Sequence, residues 1–143
     1  MQPSVQFRQP PLLLRNMGKG RFEDVSRAVG KDFQLPTVAR GAAHGDYDRD
    51  GDRDILVSTN HGPARLLRND GGDRNRWLAI KLEGTRSNRS ALGALVTVRS
   101  ASGTQSQRVR SGSSYCSQSD LALTFGLGRD AQADEVVINW PNG

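Results

Sequence analysis

Apolar and polar positions alternate along much of this chain in short stretches, and the dominant period is two. Residues 77–83 place Leu78, Ile80 and Leu82 on one face and Ala79, Lys81 and Glu83 on the other. Residues 95–99 bring Val96 and Val98 together. Residues 121–125 do the same with Leu121, Leu123 and Phe125, and 135–140 with Val136, Ile138 and Trp140. Residues 104–110 alternate in a more polar register, and 55–58 form a short apolar run. A period of two is that of an extended strand with one face buried. The Gly, Ser, Asn and Pro clusters between these stretches supply turns. Helical spacing occurs over residues 22–29, through Phe22, Val25, Ala28 and Val29, and predicts one short helix. The pattern as a whole predicts an all-β protein, sandwich or propeller-like.

The chain also repeats itself. Leu13-Leu14-Arg15-Asn16 precedes Gly18, and Leu66-Leu67-Arg68-Asn69 precedes Gly71, 53 residues later. A period near 50 points to a repeated sheet unit such as a propeller blade. The 143 residues hold one full unit and part of another, whereas propellers close with about four to eight blades. The chain therefore reads as a fragment of a larger protein. Residues 70–75 are polar and turn-forming, and beyond them Asp becomes rare while Ser, Gly and Val dominate. This divides the chain into blade material over 1–74 and a β-sandwich-like module over 75–143.

The strongest chemical signal lies in residues 45–54. Asp46, Asp48, Asp50, Asp52 and Asp54 alternate, with Gly51 at the sixth position counted from Asp46. This is the front half of a calcium loop. Alternate residues of a tightly curled loop aim their carboxylates at one centre, and the sixth position needs a turn that glycine adopts at low cost. The seventh position of such loops offers its backbone carbonyl, so Asp52 is expected to ligate through that oxygen. Asp46, Asp48, Asp50 and Asp54 are then the side-chain ligands. Five carboxylates and two arginines leave three net negative charges in nine residues, and such crowding raises carboxylate pKa values unless a cation neutralises it. Hard oxygen donors favour Ca²⁺ over Zn²⁺ or Cu²⁺. Val57 stands where an EF-hand carries its bidentate Glu, so the expected Kd is on the order of 10⁻⁴–10⁻³ M.

Charge changes the picture little. The chain carries a formal +5, but its cations are mostly arginines scattered without a basic run. Nucleic acid is therefore not the expected partner. No apolar run reaches the ~18 residues of a membrane span, and no basic, apolar, small-residue leader opens the chain. Cys116 is the single cysteine, which excludes an intramolecular disulfide framework. His44 and His61 flank the aspartate loop and read as structural. Residues 111–120, from Ser111 to Asp120, read as a turn held by side-chain hydrogen bonds and anchored by a buried Tyr115 ring. Trp77 and Trp140 read as core residues at strand ends, or as a sugar platform where exposed. Asn88-Arg89-Ser90 matches a glycosylation sequon.

Residues 41–57, from Gly41 through the aspartates to Ile55-Leu56-Val57, resemble an FG-GAP/VCBS repeat, the calcium-bearing blade motif of integrin-α-type propellers. Leu66-Leu67-Arg68-Asn69 resembles the strand that follows. Asn75-Arg76-Trp77-Leu78, residues 84–89, Gly93-Ala94, residues 112–120, Phe125-Gly126-Leu127-Gly128 and Trp140-Pro141-Asn142-Gly143 resemble the ASPIC/UnbV domain. The pairing is similar to that in the cartilage acidic protein family and its bacterial relatives. The resemblance implies a seven-bladed propeller in the full protein, a secreted or cell-surface location, calcium ligation by the aspartate loop, and a role in binding or adhesion. It implies no enzymatic activity. His44 departs from it, standing where such repeats carry an apolar residue.

Together these readings describe a calcium-binding, non-enzymatic extracellular module with a protein or glycan ligand. Two alternatives stay open: a polyanion binder acting through Arg86, Arg89, Arg108 and Arg110, and a hydrolase using the loop from Ser111 to Asp120.

Overall fold

The computed structural model describes residues 6–142. Ten strands build it: β1 (Leu14–Gly18), β2 (Arg21–Asp24), β3 (Ala39–Gly45), β4 (Asp54–Thr59), β5 (Arg65–Leu67), β6 (Arg76–Ile80), β7 (Leu95–Ser100), β8 (Gly103–Arg108), β9 (Leu123–Gly128) and β10 (Glu135–Asn139). Short 3₁₀ turns at Asp32–Gln34 and Gly72–Arg74 interrupt them. The fold is all-β, as the alternation predicts. Among the described residues no helix is long and apolar enough to cross a membrane.

The predicted helix over 22–29 does not form. Phe22 lies in β2, which pairs antiparallel with β1 through Asn16↔Phe22. Gly18, at φ 80°, and Gly20, at φ 72°, make the tight reversal between the two strands. Beyond β2, Asp24 Oδ1 accepts from the Ser26 amide at 2.9 Å and its hydroxyl at 2.6 Å, and Ser26 Oγ accepts from the Leu13 amide at 2.8 Å. These local bonds outcompete the first helical turn.

Three antiparallel strands in the order β3-β4-β5 carry the aspartate loop, which joins β3 to β4. Ala43, Leu56 and Leu66 stand side by side across this sheet, while Val57 and Phe33 are buried. Beyond residue 75 two sheets, β10-β7-β8 and β6-β9, enclose the main core. Val96, Val98 and Phe125 are fully enclosed there, with Ala91, Ala94, Val109, Leu123 and Leu127 around them. Leu78 and Ile80 from β6 and Ile138 from β10 pack onto this cluster. Burying each large side chain contributes roughly 1.5–3 kcal/mol.

The polar alternation of β8 has a structural use. Gln105 and Gln107 oppose Val98 and Val96, so they share the face of the core residues. Their side-chain amides donate to the carbonyls of Gly126 at 2.6 Å and Thr124 at 2.7 Å, stitching β8 to β9 across the gap between the two sheets.

Candidate metal centre

The aspartate loop divides its carboxylates into two groups. Asp46, Asp48 and Asp50 converge, each offering an oxygen within 4.8 Å of the others. Asp52 and Asp54 are not brought to this point. They are buried, 4 % and 2 % exposed, and turn to backbone amides. Asp54 Oδ2 accepts from the Tyr47 amide at 2.8 Å, and its Oδ1 from the Asn69 amide at 2.9 Å. Asp52 Oδ2 accepts from Gly71 at 3.1 Å and Gly72 at 2.9 Å. Each carboxylate closes a ring of backbone that holds the loop in shape. Gly51, at φ 99°, supplies the reversal between the two groups.

The repeated segment explains those amide donors. Leu66-Leu67-Arg68-Asn69 forms β5 and the turn after it, which brings the Asn69, Gly71 and Gly72 amides under the loop. A side chain at Gly72 would collide with Asp52 Cβ and Asn69 Nδ2. The repeat is visible in the sequence, but this support is not. Its signal was the glycine pair that follows the second copy. In the first copy the same motif enters a simple hairpin, where Asn16 Oδ1 accepts from the Gly18 amide at 2.8 Å.

The electrostatics of the convergent group favour a cation. Loss of solvent, and then the Asp50 and Asp54 charges, push the Asp48 carboxyl above its ordinary value. Arg68 reaches toward the group, its Nε 2.7 Å from Asp70 and 4.0 Å from Asp48, and these acids hold its pKa up. Asp46 Oδ2 accepts from the Gly51 amide at 3.2 Å, and Asp50 Oδ1 from the Asp52 amide at 3.0 Å. Asp46 Oδ1 is buried, and no described group donates to it. A buried acceptor without a donor costs about 1–3 kcal/mol. A hard cation at the convergence point supplies what that oxygen lacks, so the residues present fit a Ca²⁺-type ion.

The loop is also clasped from the other half of the chain. The Trp77 indole of β6 lies directly over Gly51. Trp77 is 40 % exposed, so it is neither an enclosed core residue nor a free platform. Arg53 donates from one terminal nitrogen to the Ala122 carbonyl at 2.8 Å and Thr124 Oγ1 at 3.1 Å, and from the other to His44 Nδ1 at 2.7 Å. Partial desolvation, then the Arg53 charge, push the His44 pKa down. His44 thus accepts from Arg53 through Nδ1 as a neutral ring. His61 lies apart from the loop, exposed, with Asn60 Oδ1 at 3.4 Å.

Residues 111–120 lie along the open edge of β3. Ser114 Oγ accepts from the Ala42 amide at 3.2 Å, Ser119 Oγ accepts from the His44 amide at 3.2 Å, and the Asp120 amide donates to the His44 carbonyl at 2.9 Å. The loop covers an edge that would otherwise expose unpaired backbone. The expected burial of the Tyr115 ring does not occur, as Tyr115 is 69 % exposed. Its carbonyl, not its ring, faces β3 at Gly41, where any side chain would overlap it. Small serine hydroxyls do the anchoring, so no aromatic is needed. Cys116 is exposed at φ 47°. Asn88 of the sequon clamps its own turn, with Oδ1 accepting from the Leu92 amide at 2.6 Å and Nδ2 donating to the Leu92 carbonyl at 2.9 Å.

Comparison with known proteins gives a family match in the second half of the chain and relatives whose match takes in more than half of the chain. Residues 84–143 match the family described as ASPIC and UnbV. Cartilage acidic protein 1 of Mus musculus is 35 % identical over 104 residues, 68 % of this chain and 16 % of that protein. The Homo sapiens protein of the same name is 34 % identical over 104 residues, covering 68 % and 15 %. That of Xenopus tropicalis is 31 % identical over 109 residues, covering 72 % and 16 %. The matched stretch thus spans about one sixth of each of these curated relatives.

Proposed function

We propose that this chain is a calcium-binding, non-enzymatic extracellular module of a larger propeller protein, built to present a binding surface. The observation that carries the reading is the convergence of Asp46, Asp48 and Asp50 around a buried Asp46 oxygen that no described group serves. Asp46, Asp48 and Asp50 hold the ion. The Asp52 carbonyl is available as a further oxygen, while the Asp52 and Asp54 carboxylates keep the loop closed. The ion would neutralise the carboxylates and stiffen the link between β3 and β4.

The blade assignment of residues 1–74 rests on the FG-GAP/VCBS-like spacing, the β3-β4-β5 meander and the repeated Leu-Leu-Arg-Asn motif. The assignment of 75–143 as a separate module rests on its own core and on the ASPIC and UnbV match over 84–143. Secretion or cell-surface display, and a protein or glycan ligand there, follow the likeness to cartilage acidic protein 1. Calorimetric titration with Ca²⁺ tests the reading. Saturable heat with a Kd on the order of 10⁻⁴–10⁻³ M is expected, together with a lower melting temperature in EDTA. No heat and an unchanged melt would overturn it.

A further inference from the structure

Beside the metal loop, where β3 and β4 meet the second half of the chain, lies a cavity of about 410 Å³. Its size is that of small-molecule sites, which run from ~300 to 1,000 Å³. His44, Arg53, Arg108 and Arg110 are among the residues that line it, the last two at and just beyond the end of β8. We infer that this cleft binds an acidic saccharide, with Arg53, Arg108 and Arg110 receiving its carboxylate or sulfate groups.

Three features of the wall carry the inference. The first is unspent positive charge. The ion pairs among the described residues engage Arg68, Arg89 and Arg99, and none engages these three guanidinium groups. Arg53 is fixed by neutral acceptors, and Arg108 donates to the Gly93 carbonyl at 2.7 Å. Both are therefore oriented without being neutralised. Arg110 is exposed. Planar guanidinium forks match carboxylate and sulfate oxygens better than any other side chain.

The second feature is a mixed polar lining. Ser113 and Ser119, their hydroxyls 3.4 Å apart, and Asp120 also line the cleft. Hydroxyls and one carboxylate suit the alternating donors and acceptors of a sugar ring. The third feature is apolar. Leu95, Leu121 and Leu123 give the lining its aliphatic part, and no Phe, Tyr or Trp is among the lining residues. An aliphatic surface accepts the C–H face of a sugar, whereas single-stranded nucleic acid is held by aromatic stacking.

This also sorts the arginines that sequence alone grouped together. Arg89 pairs with Glu83 at 2.7 Å, and Arg86 lines a different depression beside Trp140. Only Arg108 and Arg110 of that group face the cleft.

Titration calorimetry of the whole chain at fixed ionic strength tests the inference. The probes are a heparin tetrasaccharide, an unsulfated oligogalacturonate and a single-stranded oligonucleotide, each with saturating Ca²⁺ and again in EDTA. Saturable binding of one or both saccharides is expected, and the arm that binds identifies sulfate or carboxylate as the recognised group. Arg110→Ala should weaken it at least about tenfold, the worth of one charge-assisted contact. Arg108→Gln should do likewise. Arg86→Ala removes the same charge and should stay within about twofold. The exposed position of Arg110 leaves folding intact, which an unchanged melt verifies. Equal losses for Arg86→Ala and Arg110→Ala, no binding of either saccharide, or equal binding of the oligonucleotide would overturn it. Calcium heat is read separately, so failure here leaves the metal reading standing.

Discussion

The indole of Trp77 closes over the α-carbon of Gly51, so that a methyl group added there would overlap the ring. The turn of the aspartate loop and strand β6 are thereby one packed unit. Gly51→Ala faces both this overlap and a φ of 99° that only glycine holds cheaply. It should destabilise the chain by about 1–3 kcal/mol in urea unfolding. Gly126→Ala, where a methyl meets nothing within 4 Å, should stay within about 0.5 kcal/mol. In a Trp140→Phe background, Trp77 fluorescence should also respond to Ca²⁺, because the ring rests on the loop that the ion orders.

The two groups of aspartates should separate by experiment. Asp54 is buried and accepts from two backbone amides. Asp54→Ala leaves both donors unserved and should cost several kcal/mol even in EDTA, at about 1–3 kcal/mol for each buried unpaired group. Asp48 is exposed, and its charge is disfavoured where it stands. Asp48→Asn should leave the EDTA melt unchanged or slightly raised, while abolishing the gain on adding Ca²⁺. Parallel melts of the two variants, with and without Ca²⁺, check both statements.

The strands were legible because each core-facing side is written in period two: Val96 and Val98, Leu123 and Phe125, Leu78 and Ile80. The aspartate loop was legible for a similar reason, since alternation around a glycine has one economical folding. What the sequence hid lies in contacts made at long range. Nothing near Asp54 announces that Asn69 will serve it, and nothing in residues 111–120 names β3 as the edge they cover. Phe22 to Val29 had helical spacing, but the Asp24–Ser26 bonds and the pairing of β2 with β1 made extended structure cheaper. Tyr115 is exposed although an aromatic in a polar loop suggests an anchor. The loop instead attaches through Ser114 and Ser119, whose small hydroxyls reach the amides of β3.

Acid should weaken the response to calcium. Desolvation and the neighbouring Asp50 and Asp54 charges raise the Asp48 pKa in the folded chain. A raised carboxyl pKa means that the protonated form favours folding, a contribution present at low pH and lost as pH rises through that pKa. At neutral pH the ion-free protein therefore carries the repulsion, and the cation relieves it. The gain in melting temperature on adding Ca²⁺ should be largest near neutrality. It should shrink as pH falls through the raised Asp48 pKa, where protons compete for the same oxygens. Melts with Ca²⁺ and with EDTA, from neutral pH down through the carboxylate range, read the difference directly.

Arg53 ties the two halves of the chain through a geometry that lysine cannot copy. Its guanidinium reaches the Ala122 carbonyl, Thr124 Oγ1 and His44 Nδ1 at once, at 2.8, 3.1 and 2.7 Å. An ammonium is a single point with no planar fork. Arg53→Lys keeps the charge but should lose at least one of these bonds and cost about 1–2 kcal/mol. The loss should be local. Amide exchange should quicken at His44 and Asp120, whose backbones are joined across the seam, while Val96, Val98 and Phe125 stay protected in the core. Uniform quickening across the chain would show that Arg53 supports the whole fold instead of this one junction.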